Sequence, residues 1–181
     1  MPKVTLGAVL LLAGLSASLV ACHPLPPLPE GVIEQAEPGQ SVSMSDVEFS
    51  ILDLHWADTY AVKEGYEAPQ ISPDEHFLMA TVRVKNNSQE TFHPIRYTYM
   101  YALADNANKI GTEPRNIVAG NPSVDPVDDL KPGASVDMLV PFKIAKSDHV
   151  HAIGFDATWF NQNASVEIKV ENSEALPTTS Q

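Results

Sequence analysis

Cysteine is almost absent from this chain: Cys22 is the single one in 181 residues. No disulfide can form within one chain, so packing alone must hold the fold together. Basic residues are also scarce, 11 Lys and Arg against 23 Asp and Glu, for a formal net charge of −12. An acidic surface repels phosphate backbones and anionic headgroups, so no nucleic-acid partner is expected and no basic face attaches the chain to a membrane. There is no nucleophile elbow, phosphate-binding loop, dinucleotide fingerprint or His-Glu-x-x-His helix. No catalytic residues, no enzyme activity and no cofactor are therefore expected, although a site scattered along the chain would leave no such mark. Internal repeats and a convincing amphipathic helical period are missing too. Glycine, at 9, is outnumbered by 15 prolines.

The one long apolar run lies at the start. Lys3 precedes Val4 to Val20, interrupted only by Thr5, Gly7, Gly14, Ser16 and Ser18, and small Ala21 stands before Cys22. A charged opening, an apolar stretch and a small residue at the cut are the marks of a secretory signal, here residues 1–21. The run is about the ~17-residue minimum for a bilayer span, and the prolines after it argue for cleavage rather than a retained helix. Leu19-Val20-Ala21-Cys22 resembles the bacterial lipobox. That resemblance implies a diacylglyceryl group on the Cys22 thiol, cleavage before it and acylation of the new amine. Each buried CH₂ contributes roughly 0.8 kcal/mol, and stable anchoring takes two chains or more. The expected partner is thus the membrane, through lipid on Cys22. His23 follows the cysteine; by the same resemblance, the absence of Asp there permits outer-membrane delivery in a diderm cell, with the outer face of the cytoplasmic membrane as the destination otherwise. Removing 21 residues from 181 leaves 160 and a charge of −13, since Lys3 is the only charge lost. That is one domain with flexible ends.

Residues 22–40 read as a lipidated, Pro-rich tether. Five prolines between His23 and Gln40 favour polyproline II, which at roughly 3.1 Å per residue gives a reach of at most about 50 Å. From Ser41 onward β-strand patterns dominate. Val47, Phe49 and Ile51 alternate with polar residues, then Leu52, Leu54 and Trp56 shift parity, as at a bulge or a strand changing sheets. Leu78, Ala80, Val82 and Val84 share one face, and Asn86-Asn87-Ser88-Gln89 turns the chain. Tyr97 to Ala104 alternates again. Val136, Met138, Val140, Phe142 and Ile144 form the cleanest alternation, with Pro141 at an edge or bulge position. Val150 to Phe155 and Val166 to Val170 complete the set. Residues 57–75 and 111–129 are long, Pro- and Gly-broken connections of the kind that are usually functional or disordered, and 172–181 read as a disordered tail. About seven antiparallel strands in 41–171 predict an all-β, immunoglobulin-like β-sandwich.

A second resemblance supports this architecture. Phe77-Leu78-Met79-Ala80-Thr81-Val82-Arg83-Val84-Lys85-Asn86-Asn87 is similar to the central strand and turn of the telokin-like immunoglobulin domains of secreted bacterial lipoproteins. Leu130-Lys131-Pro132-Gly133 before the apolar strand to Phe142, and the strand from Tyr99 into its Asp/Asn turn, fit the same family. It implies a fold rather than a catalytic site.

Three sets of residues are candidates for binding. Tyr97, Tyr99 and Tyr101 share one strand face; if Thr98, Met100 and Ala102 face the core they form an exposed strip for an envelope protein or extracellular ligand, and if not they are core and rim. Alternation leaves both parities open. His149 and His151, two apart, project from one face and suit copper or zinc, with Met138 or Met79 as a soft addition. Only two converge, so no metal site is assigned and metal handling stands as the alternative function, a scattered enzyme site as another. Asp125, Asp128 and Asp129 crowd one loop, but Pro126 interrupts any calcium-loop pattern.

Overall fold

The computed structural model describes residues 31–44, 46–67, 69–93, 99–124, 128–156 and 164–170. The signal, Cys22, the first part of the tether and the tail lie outside them. Among the described residues nine strands form two sheets: β1 (Gly31–Ala36), β2 (Ser41–Met44), β3 (Val47–Ala57), β4 (Glu75–Asn86), β5 (Met100–Ala104), β6 (Asn108–Gly111), β7 (Ser135–Ala145), β8 (Val150–Asp156) and β9 (Ala164–Lys169). One sheet runs β1-β9-β8-β5-β6 and the other β2-β3-β4-β7. The all-β sandwich is as expected; the strand count is higher.

The core is built by the predicted alternation. Leu78, Ala80, Val82 and Val84 of β4 face Met100 and Ala102 of β5, Ile153 and Phe155 of β8, and Val166 and Ile168 of β9, all buried. Phe49 stacks on Phe155 across the two sheets, with ring centroids 4.3 Å apart. The parity shift in β3 is a bulge, with the register to β4 slipping between Ile51 and Asp53. Leu52, left at that bulge, is 45% exposed. Where a disulfide is lacking, buried Asn86 joins two turns. Its Nδ2 donates to the carbonyls of Glu90 (2.7 Å) and Leu130 (2.9 Å), and its Oδ1 accepts from the Ser88 amide.

Three expectations are corrected. Residues 31–36, read as tether, are strand β1, paired with β9. That pair is parallel, so the sandwich is not purely antiparallel. A helix does occur: α1 (Pro114–Gly120), with Pro114 in its first turn, where no amide hydrogen is needed. It belongs to the second long connection, and it meets the first on the outer face of the four-stranded sheet. Tyr60 packs edge-on against Phe77, ring centroids 5.0 Å apart. The Lys63 amide donates to the Ala119 carbonyl at 2.7 Å. A Cβ added to Gly120 would sit 3.3 Å from the Tyr60 ring, so the helix approaches this closely because Gly120 has no side chain. The two connections thus bury Phe77 and Met79 on the face of β4 opposite the core.

Candidate functional site

The open end of this outer layer is a cleft of about 260 Å³ between β6 and β7, the edge strands of the two sheets. Phe77 and Pro141 form apolar walls together with Pro69. Gln70 enters from the first long connection; Thr112, Glu113 and Asn116 enter from the second, and Lys143 from β7. Lys143 Nζ lies 3.5 Å from Glu75 Oε1. The Ser72 amide donates to Glu75 Oε2 at 2.8 Å and, with Lys143, holds that carboxyl below its ordinary range. Behind the cleft, the Tyr60 hydroxyl is buried with no hydrogen-bond partner among the described residues, and burial pushes its pKa up to about 12.

Edge strand β7 is closed over most of its centre. Asn121 Oδ1 accepts from the Leu139 amide and its Nδ2 donates to the Leu139 carbonyl, both at 2.8 Å, as a neighbouring strand would. Two residues on, Pro141 has no amide hydrogen, and its carbonyl accepts from Thr112 Oγ1 at 2.5 Å. Such plugs keep an edge from pairing indiscriminately.

The tyrosine row divides. Tyr97 lies outside the described residues, Tyr99 is 47% exposed, and Tyr101 is 4% exposed. Met100, Ala102 and Ala104 take the core face, so Tyr101 points outward and is nonetheless buried. Its ring lies flat across Gly154 of β8, where a Cβ would come 2.0 Å from Cζ. Its hydroxyl donates to Glu167 Oε1 of β9 at 2.8 Å, and Gln35 Nε2 of β1 donates to Glu167 Oε2 at 2.9 Å. Lys109 Nζ of β6 stands 4.0 Å from the ring centroid. One polar row therefore crosses all five strands, and Tyr101 is a tie rather than part of a strip. Burial first, then the Glu167 carboxylate, raises the phenol's pKa well above its ordinary value.

His149 and His151 do reach one place. Asp105, in the 3₁₀ turn Asp105–Ala107 between β5 and β6, accepts from both: Oδ2 lies 3.1 Å from His149 Nδ1, and Oδ1 lies 2.8 Å from His151 Nε2. These hydrogen bonds lower the Asp105 pKa to about 2. Each imidazole is engaged with a separate oxygen, and among the described residues no three of His, Cys, Asp and Glu are placed to hold a metal ion. Met138 is a core residue and Met79 lies under the outer layer. In the acidic loop Asp125 is outside the described residues, while Asp129 Oδ1 lies 3.2 Å from His93 Nδ1.

No family model matches the chain, and no curated protein matches it. Solved structures do. An uncharacterised β-sandwich protein from Clostridium difficile 630 superposes with a TM-score of 0.54 at 13% identity, over 81% of this chain and 99% of that one. The likeness is one of fold. The yjhA protein from Bacillus subtilis gives a TM-score of 0.51 at 12% identity, over 75% of this chain and 99% of that one. A secreted protein from Mycobacterium tuberculosis, MPT63, gives 0.51 at 13% identity, over 74% of this chain and 95% of that one.

Glu167, Asn121 and the cleft residues Glu113 and Lys143 carried no sequence signal as site residues. For the helix that brings Glu113 to the cleft there was one: Glu113-Pro114 followed by Gly120 fits a helix with Pro in its first turn.

Proposed function

We propose that this protein is a non-catalytic binding module of the bacterial envelope, exported by its first 21 residues and anchored through lipid on Cys22, and that it binds its partner at the β6–β7 cleft. The anchor half rests on Leu19-Val20-Ala21-Cys22 behind an apolar run, and a secreted protein among the fold's relatives is consistent with export. The observation that carries the binding half is the convergence of both long connections on one cleft. Neither loop is a bare link; each contributes polar groups to the same opening. A cleft with an apolar floor and a few polar side chains is the usual form of a recognition site.

The test has two arms. In the first, native protein fractionates with membranes and Cys22→Ala is soluble; equal membrane partition of the two overturns the anchor. In the second, a photocrosslinker at Asn116, inside the cleft, yields an adduct in cells, whereas one at Glu48, on β3 outside the cleft, does not. The same adducts from both positions overturn the cleft as the binding surface.

A further inference from the structure

On β7, backbone groups alternate between β4 and the free edge. Leu139 and Pro141 point outward, since Asn121 and Thr112 meet them there. The β4–β7 register runs without a shift from Glu75↔Ala145 to Lys85↔Ser135. Lys143 therefore also points its N–H and C=O outward, at the edge where Lys143 lines the cleft. It is the next outward residue after two plugged ones, and among the described residues neither group has a partner. A strand residue with both groups turned outward matches one residue of an extended peptide, which can exchange two hydrogen bonds with it.

The charge around this position has one sign left over. Lys143 is paired with Glu75. Glu113 lines the same cleft and, among the described residues, its carboxylate forms no ion pair. The whole chain is acidic, at −12, and its field draws in cationic partners.

We propose that the cleft binds an extended peptide segment bearing a basic side chain: the peptide main chain pairs with Lys143, and the basic group pairs with Glu113. This rests on the reading of the cleft as a binding surface and gives its ligand class. The plugs at Leu139 and Pro141 limit pairing to about two residues, so side-chain recognition, not a long ladder, supplies selectivity.

The probe is a dye-labelled pentapeptide alternating valine and lysine, followed by fluorescence anisotropy against the full chain in detergent micelles; the same peptide with glutamate for lysine is the comparison. The lysine peptide binds more tightly. Glu113→Gln weakens it about two- to fivefold, the scale of a solvent-exposed ion pair. Lys143→Ala keeps the backbone donor and serves as the reference for loss of the side chain alone. Lys143→Pro removes only an outward N–H, as Pro141 already does, and weakens binding about two- to tenfold through the one main-chain hydrogen bond lost. Equal binding of the two peptides, or a Lys143→Pro variant that binds like Lys143→Ala, overturns the proposal. If Lys143→Pro does not fold, the Glu113→Gln comparison decides alone, no change in affinity counting against the proposal. Failure here leaves the Asn116 crosslinking result standing, so the ligand class and the cleft are judged separately.

Discussion

Gly154→Ala tests the polar row on the five-stranded sheet. A methyl group there would meet Tyr101 Cζ at 2.0 Å, Cε2 at 2.4 Å and the hydroxyl at 2.5 Å. The obstacle is a rigid ring, 4% exposed, so the ring must leave its place. Overpacking of this kind costs about 1–3 kcal/mol. The displaced hydroxyl also gives up its 2.8 Å bond to Glu167, which is 2% exposed; a hydrogen bond to a carboxylate is worth about 1.5–3 kcal/mol. Losing the Lys109 contact adds about 0.5–1 kcal/mol. The expected loss is about 3–7 kcal/mol, a large share of the 5–15 kcal/mol typical of a folded domain, and the melting temperature should fall by about 10 °C or more. Urea and thermal unfolding of the parent, the two single variants and the double variant with Tyr101→Ala provide the assay. In the Tyr101→Ala background the space over Gly154 is vacant, and Gly154→Ala should then cost less than about 1 kcal/mol. A small loss in the parent, or the same loss in both backgrounds, would refute the reasoning.

The remaining expectations concern the edge, acid stability and the anchor. Asn121→Ala removes three hydrogen bonds, to Ile117 and to both backbone groups of Leu139; it should cost about 2–4 kcal/mol and, with the edge open, produce concentration-dependent association by light scattering. Unchanged melting and a monomer at all concentrations would count against the plug. Asp105 has a folded-state pKa of about 2, below the ordinary 3.8, so its stabilisation is present above pH 3.8 and is lost as pH falls towards 2. The melting difference between parent and Asp105→Asn should therefore be steady near pH 5 and shrink by pH 2; a difference that grows on acidification contradicts the assignment. Cys22→Ala should move the protein from membrane to soluble fractions, as set out above.

Much of the sandwich was legible because one face of most long strands carries polar residues towards water, β4 doing so only beyond Met79. Met138, Val140, Phe142 and Ile144 alternate for that reason, and all four lie in the core. The parity change after Ile51 was legible as well, and it is the bulge. Strand β1 was not. Its sequence, Gly-Val-Ile-Glu-Gln-Ala, lies among prolines, and what makes it a strand is β9, a partner 132 residues away where Gln35 meets Glu167. Helix α1 escaped because seven residues are two turns, too few to establish a period, and Pro114 read as a breaker. The fate of Tyr101 could not follow from its own strand. It depends on a glycine directly opposite, Tyr101↔Gly154, which lets the ring lie down. For the candidate site, length alone marked the two long connections as loops to watch. That they converge over Phe77, and that Asp105 comes to meet His149 and His151, depends on contacts far apart in sequence.

The four sheet edges are not equivalent, and their differences bear on how an anchored domain would meet a partner. β2 and β6 have four residues each, and the Ser43 amide of β2 donates to Glu34 Oε2 at 3.1 Å. β7 is plugged at Leu139 and Pro141 and open at Lys143. β1 is tied down by Gln35 on Glu167, and beyond its far end Lys169 Nζ lies 2.7 Å from Glu37 Oε1. β1 begins at Gly31, nine positions after Cys22 in sequence. On the anchored reading, a tether of eight residues at roughly 3.1 Å each would span at most about 25 Å, half the reach of one running to residue 40. β1 and β6 are the opposite edges of one five-stranded sheet, four spacings or about 19 Å apart. The segment that precedes β1 therefore joins one side of the sandwich while the cleft opens at the other. On the anchored reading, this arrangement keeps the domain close to the membrane and leaves the cleft clear of its own tether.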